Sequence, residues 1–458
     1  MIGAGTLMNP SISVIMDGVY ANEFSGHVGD PGGFDMGHSH DHGHGHDHGL
    51  EDGFQLRETE FAFEATVDPY FDAFAMLVIE DTDHVDLEEA YFTTRSLPWG
   101  LQIKGGRFLS DVGYINAFHP HDWDFVDRPL ANEHIFGDHG LQEIGLQLNW
   151  VAPTTSYLKL GFELLEGETS GIANYEGSER AEYNEQFMVF DHDDENVDEG
   201  HGKICPKSDG DGDDDGDCKP SRVRFNKDLP FSDSKGPRLA TFFAKWGPDL
   251  GFDHAAQFGI SGGYASAYQR HEEHSSPRHE AWDGDAWFAG LDAVYKYTPP
   301  RSYQGAGQFT LQGEYFYRQQ DLTFQNITFD DDNHADTETD DWAWTVDDEQ
   351  DVTYKQDGFY LQAIYGIAPR WRSGLRAEAL GLASNTAFQN EDNPEDDFGT
   401  SYRYSASVTH YPTEFSYIRG QVNYSDFASD DPNGSSEDSW QFLVQYNLSL
   451  GVHGAHPF

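Results

Sequence analysis

Residues 440–450 read Trp-Gln-Phe-Leu-Val-Gln-Tyr-Asn-Leu-Ser-Leu. In an extended strand, Trp440, Phe442, Val444, Tyr446, Leu448 and Leu450 share one face, and Gln441, Gln445, Asn447 and Ser449 share the other. The apolar face carries aromatics near its ends and the opposite face is rich in amides and hydroxyls. A soluble sandwich can contain one such strand, but here the pattern recurs along the chain. That recurrence predicts an all-β fold, a transmembrane antiparallel up-and-down β-barrel with lipid outside and water inside.

The same alternation places strands near 11–22, 54–67, 70–80, 85–96, 100–110, 141–151, 156–166, 237–247, 254–268, 284–298, 304–320, 352–368, 370–384, 400–412, 414–427 and 438–451, sixteen in all. Connections after even-numbered strands are tight and marked by turn formers, as at Asp68-Pro69, Pro98-Trp99-Gly100, Ala152-Pro153, Gly247-Pro248, Pro299-Pro300, Ala368-Pro369 and Tyr411-Pro412. Those after odd-numbered strands include the long acidic segments 23–53, 111–140, 167–236 and 321–351. Short periplasmic turns at one rim and long extracellular loops at the other follow the outer-membrane barrel rule. The whole chain, 1–458, reads as one barrel domain carrying a His-rich loop at 23–53, a constriction loop at 111–140 and a long acidic loop with a cysteine pair at 167–236.

Composition narrows the alternatives. Only 37% of the residues are hydrophobic, too few for large buried cores in a chain of 458 residues. No stretch approaches the roughly 18–20 consecutive apolar residues of a transmembrane helix, so a membrane must be crossed with strands. Residues 1–10 lack a basic n-region followed by a long apolar h-region, so the sequence reads as a mature chain whose export signal is expected to lie elsewhere.

Polar residues alternating with apolar ones mark the lumen. They include Lys104, Arg107, Glu143, Gln147, Lys159, Glu163, Gln312, Glu314, Arg372, Arg376, Glu378, Arg403, Arg419, Gln421 and Asn423. Charges inside a barrel are tolerated where water reaches them, and sixteen strands leave an aqueous or partly plugged channel.

Against 81 Asp and Glu stand 27 Lys and Arg, a formal net charge of -54. Much of the excess lies in the long loops, where it would draw cations to the outer mouth and repel nucleic acid. Histidine adds a second signal. His38, His40, His42, His44, His46 and His48 alternate with Ser, Asp and Gly, and Gly spacing lets several imidazoles wrap one divalent transition metal. A second group, His119, His121, His134 and His139, lies with several carboxylates in the 111–140 loop. By position this is the third long connection, the one that bends into the lumen of many sixteen-stranded porins, and its histidines are candidates for a metal relay. The alternative is that His119 and His121 are hydrogen-bonded structural residues. A weaker cluster is His271, Glu272, Glu273, His274 and His279.

Cys205 and Cys218 flank an acidic run and are expected to pair as a disulfide in an exported protein. The enclosed Asp209, Asp211, Asp213, Asp215 and Asp217 resemble the start of a calcium loop, but the twelfth position falls on Arg222, which excludes a complete EF-hand. Calcium and a merely solvated acidic tract remain the two readings.

The segments 9–15, 56–60, 105–116, 119–127 and the ending Gly451-Val452-His453-Gly454-Ala455-His456-Pro457-Phe458 resemble a group of proteobacterial outer-membrane barrels labelled zinc-regulated outer-membrane receptors, some members of which are similar in architecture to phosphate-selective porins. The resemblance implies an outer-membrane location and a role in zinc acquisition. TonB-dependent transporters place a plug of roughly 100 residues or more before a 22-stranded barrel. Here the first strand begins near residue 11, so a porin-like channel without that plug is expected.

The expected function is therefore an outer-membrane channel that captures and passes a divalent transition metal, zinc first. The alternative is a general or organic-solute porin whose histidines only buffer metal. A hydrolase would need a nucleophile and base at one rim. No convincing constellation of that kind is found, and the nearest grouping, His410 with Ser405 and Ser407, sits at the turn side. Expected partners are outer-membrane lipid and lipopolysaccharide and metal ions, with zinc or calcium as bound ion, no nucleic acid, and the homotrimer common among porins of this width.

Overall fold

The computed structural model describes residues 10–27, 29–34, 50, 52–80, 84–168, 171–175, 181–190, 218–227, 231, 234–273, 278–329, 344–389, 396–429 and 434–451. Sixteen of its strands form one closed antiparallel barrel: β1 (Ser11–Gly26), β2 (Gly53–Thr66), β3 (Phe71–Glu80), β4 (His84–Thr94), β5 (Leu101–Leu109), β6 (Gln142–Val151), β7 (Tyr157–Leu165), β8 (Leu239–Gly247), β9 (His254–Glu273), β10 (Arg278–Tyr297), β11 (Phe309–Phe329), β12 (Trp344–Ala368), β13 (Trp371–Gln389), β14 (Ser401–Thr413), β15 (Ser416–Phe427) and β16 (Glu437–Gly451). Each pairs with its sequence neighbour. The seam closes between β1 and β16, with Met16 opposite Leu448 and Gly18 opposite Tyr446. Gly18 is required there, because a Cβ would stand 2.0 Å from the Tyr446 ring. A two-residue bridge, Asp396–Asp397, extends the β13 edge, and a separate hairpin pairs Ala181–Phe190 with Cys218–Lys227.

The period-two pattern explains which side faces what. Leu146, Phe162, Phe242, Ile260, Leu291, Leu375 and Leu450 point outward and are exposed. Their neighbours Gln147, Glu163, Thr241, Ser261, Asp292, Arg376 and Gln445 point inward and are buried. A closed ladder with no unpaired edge and an apolar exterior is the arrangement a bilayer demands of strands. The protein is accordingly a transmembrane β-barrel.

Two features differ from the expected boundaries. Strands β9 to β13 run 19 to 25 residues, continuing through stretches expected to be loop, such as 321–329 and 344–351. Beyond the bilayer both faces meet water, so the amphipathic alternation that marks a spanning strand fades. The 167–236 connection also contains the hairpin at 181–190 and 218–227 rather than irregular chain alone.

Arg107 needs a correction of facing. It stands three residues from Lys104, and strand parity places the two on opposite faces. Arg107 pairs with Ile144, whose side chain points outward, and it bonds the Glu88 carbonyl and Gln142 Oε1 near the strand ends.

Candidate functional site

The connection between β5 and β6 enters the barrel and crosses it. Its two ends are stapled by Asn116, whose Nδ2 donates to the carbonyls of Ser110 (2.9 Å) and Leu141 (3.0 Å), while its Oδ1 accepts from the Leu141 N–H (2.8 Å). Between them run two short 3-10 turns and one helix, α1 (Leu130–Phe136), entered from Pro129 and left through Gly137 at φ 92. The helix buries nearly every side chain. Phe136 packs edge-on against Phe288 (5.1 Å) and Phe316 (4.9 Å) of the wall, and Val126 joins Val19, Ala21 and Leu443 near the seam. Part of the lumen is thus a packed apolar core, as its aromatic content requires.

Polar groups of the wall hold the loop's backbone. Glu314 accepts from Ile115 N–H (2.7 Å), Gln421 from Val126 N–H (2.7 Å) and Glu378 from Leu130 N–H (2.8 Å). Arginines serve the opposite polarity: Arg57 donates to the Val126 carbonyl (2.6 Å), Arg419 to Phe125 (3.0 Å), Arg403 to Arg128 (2.7 Å) and Arg318 to Ile135 (3.3 Å). Asp127 receives Arg376 at 2.6 Å, Arg403 at 3.3 Å, Gln421 at 2.6 Å and Asn423 at 3.1 Å. Burial alone would raise the Asp127 carboxyl, but the two guanidinium groups outweigh it and hold it well below the usual range. Hydrogen bonds to charged groups contribute roughly 1.5–3 kcal/mol each, comparable to the cost of fixing one residue of loop.

The histidines of this loop occupy carboxylate cages. His119 Nδ1 stands 3.2 Å from Glu88 and its Nε2 3.2 Å from Glu89. His121 Nδ1 is 2.7 Å from Glu60 and its Nε2 3.3 Å from Asp122. The rings stack in parallel with centroids 5.9 Å apart. Burial lowers both imidazoles, but the facing carboxylates outweigh it and raise them, His119 strongly. Rings flanked by carboxylates at both nitrogens are set up to carry a proton rather than to offer a lone pair to a metal.

The other expected residues are scattered. His134 is buried in α1 beside Phe34, and His139 is exposed on the following turn. Among the described residues, no three His, Cys, Asp or Glu side chains are grouped to hold a metal ion. His38, His40, His42, His44, His46 and His48, the five aspartates from Asp209 to Asp217, Cys205 and His274 lie outside the described residues, so the disulfide with Cys218 and the calcium loop do as well. Lys104, Arg372, Arg376, Glu378 and Arg419 face the lumen. Sequence reasoning missed Glu60, Glu88, Glu89, Asp111 and Asp127 as anchors. Inward parity could have signalled Glu60 and Glu89; Glu88 sits at a register shift beside Glu89, and Asp111 and Asp127 lie in the connection, where strand parity gives no signal.

Below the loop, toward the short turns, the described residues line two sizeable cavities among others. One of about 650 Å3 lies among Tyr114, Trp123, Lys296, Arg372 and Tyr417, and one of about 660 Å3 lies against β5, β7 and β8.

Comparison with known proteins fits this architecture. The outer-membrane channel DcaP of Acinetobacter baumannii superposes with a TM-score of 0.51 at 9% sequence identity, covering 96% of this chain and 97% of that one, which is a likeness of fold. No family model matches the chain, so the zinc-regulated receptor label receives no support. An uncharacterised protein of Aquifex aeolicus (strain VF5) is 31% identical over 426 residues, 92% of this chain and 73% of that relative; the chain belongs to the same family as that protein.

Proposed function

We propose that the protein is an outer-membrane channel whose passage is narrowed by residues 110–141. The observation that supports this reading is the loop itself, which is tied across the lumen to strands on several sides while cavities remain beneath it. At its outer mouth the channel gathers divalent transition metal, zinc first, on His38, His40, His42, His44, His46 and His48. The alternating histidine sequence and the net charge of -54 support that finer reading.

A second reading, a porin for organic solutes with incidental metal buffering, is favoured by one specific observation. The imidazoles of His119 and His121 face carboxylates at both nitrogens, which favours protonated rings over metal ligands at that part of the narrowing.

Planar-bilayer recording tests the channel. Steady conductance supports it, and a closed trace overturns it. Cation-selective current blocked by zinc at about micromolar level supports the metal reading, and replacing the six histidines of 38–48 by Ala should then abolish the weaker zinc sites in calorimetry. Indifference to zinc in both measurements favours the organic-solute porin.

A further inference from the structure

Two further segments enter the barrel beside the β5–β6 connection. From the β1–β2 connection, Pro31-Gly32-Gly33-Phe34 makes a turn, with the Phe34 N–H donating to the Pro31 carbonyl (2.9 Å) and Gly33 at φ 77. Phe34 is fully buried, its ring 6.2 Å from that of His134 on α1. From the β7–β8 connection, Ile172 and Ala173 are fully buried as well. The apolar residues of all three segments join one cluster with the wall, from Phe108 on β5 through Phe288 and Phe316 to Phe427 on β15. The outer half of the lumen is therefore narrowed by a crossing that three connections build together.

One pair of wall residues touches all three. Arg318 on β11 stands directly opposite Gln356 on β12. The Arg318 guanidinium donates to Gln356 Oε1 (3.0 Å from Nε), to the Ile135 carbonyl near the end of α1 (3.3 Å) and to the Gly171 carbonyl. With its oxygen occupied by the arginine, the Gln356 amide presents its Nε2 as a donor, and that nitrogen bonds the Gly33 carbonyl. The seat of the 31–34 turn is thus oriented by the same arginine that holds α1 and Gly171.

The holds differ in kind. Charged groups fix the β5–β6 connection, above all Asp127 with Arg376 and Arg403, and a guanidinium holds Gly171. The 31–34 turn is tied to the wall through neutral groups: the Gly32 N–H donates to the Ala428 carbonyl (2.8 Å), Asn385 Nδ2 to the Gly32 carbonyl (2.8 Å) and the Gln356 amide to the Gly33 carbonyl. Neutral hydrogen bonds contribute less than charge-assisted ones, so this turn is the inserted segment most readily released. Its docking also leaves no room for a side chain at Gly32, where a Cβ would stand 2.4 Å from the Ser429 carbonyl oxygen.

We propose that residues 31–34 are a latch on the passage. Docked, Phe34 completes the apolar crossing; undocked, the turn leaves α1 and the passage widens. The inference rests on the channel reading and adds to it the segment that moves.

Single-channel recording of the full chain in planar bilayers tests the latch with Phe34→Ala and Gly32→Ala. The first removes the ring. The second removes nothing and adds a methyl group where the Ser429 carbonyl already stands. Both should raise the mean conductance by about twofold or more as the undocked population grows. A ring that only fills space predicts otherwise, because Gly32→Ala leaves that ring in the chain. Conductance of Gly32→Ala equal to or below that of the unmodified chain overturns the latch, whatever Phe34→Ala does. Should Gly32→Ala fail to fold, as judged by gel mobility, Gly33→Ala carries the same comparison, since its Cβ would meet Asn385 Oδ1 at 2.4 Å. Silent traces from every protein would sink the channel reading and the latch with it. An unmodified chain that conducts beside variants of equal conductance sinks the latch alone.

Discussion

Asp127 Oδ1 lies 2.6 Å from an Arg376 guanidinium nitrogen, although 249 residues separate the two in sequence. Arg376 also bonds Glu378 at 2.8 Å, and Arg403 bonds the same Glu378 oxygen at 2.8 Å, so one loop carboxylate completes a four-member buried network on β13 and β14. Removing one partner of such a network costs about 3–5 kcal/mol, because the remaining charges are left buried. Asp127→Asn should therefore lower the denaturant midpoint and give the channel larger, noisier conductance in bilayers. Conductance and midpoint both equal to those of the unmodified chain would refute the pinning role.

Glu133 on α1 gives a pH test. Burial pushes its carboxyl up to about 7; Arg403 opposes the shift, and Asp138 and Asp127 add to it. The folded state thus holds this proton more tightly than the unfolded chain, whose carboxyl titrates near 4.5. Stability falls as pH rises between those two values and stays lower above them. Glu133→Gln should change little at about pH 5 and stabilise at about pH 8 by on the order of 3 kcal/mol at most. Urea unfolding followed by tryptophan fluorescence at both pH values checks it, and no gain at the higher pH counts against it.

For His119 the direction is the same, stability falling as pH rises, but what is lost is a favourable contribution. Its imidazole is held well above the ordinary 6.5 because Glu88 and Glu89 outweigh the effect of burial. Its contribution to stability is fully present below that ordinary value and disappears as pH rises through the elevated one. Single-channel records should show the loop loosening, seen as added open-state noise, only on the alkaline side of neutrality. His119→Gln should reduce this pH dependence to what the neighbouring His121 contributes. A record in which both proteins respond identically to alkali contradicts the assignment.

Gly259 lies opposite both Lys245 and Asp292, and a Cβ there would stand 1.9 Å from Asp292 Oδ2. The missing side chain is what lets the Asp292 carboxylate lean across β9. Gly259→Ala should displace that carboxylate and destabilise the barrel by roughly 1–3 kcal/mol, the usual cost of overpacking. Gel mobility after graded heating reads it out, and an unshifted transition would show that the wall yields without cost.

The barrel was legible because its grammar is local. Alternation in stretches such as 440–450 reports the face of each residue, and prolines and glycines mark the short turns. Sixteen strands and the sense of their connections follow from that alone. The site was less legible because it depends on register between distant strands. Nothing near Asp127 in sequence announces Arg376, and nothing near His121 announces Glu60. Lys159 was readable as inward-facing, but its confrontation with Lys245 emerges only when β7 and β8 are aligned. Arg107 shows the limit of the reading in the other direction: a charged residue on an amphipathic strand invites a lumenal placement that parity forbids.

The uneven strand lengths bear on how anything approaches this barrel. A bilayer is spanned by about 9–11 tilted residues, which is all that β3 to β8 supply, whereas β11 and β12 have 21 and 25. One flank therefore rises as a parapet above the lipid while the opposite flank ends near its surface. Among the sixteen barrel strands alone, the ladder is tall on one flank and short on the other, so the paired wall standing above the lipid differs with the direction of approach.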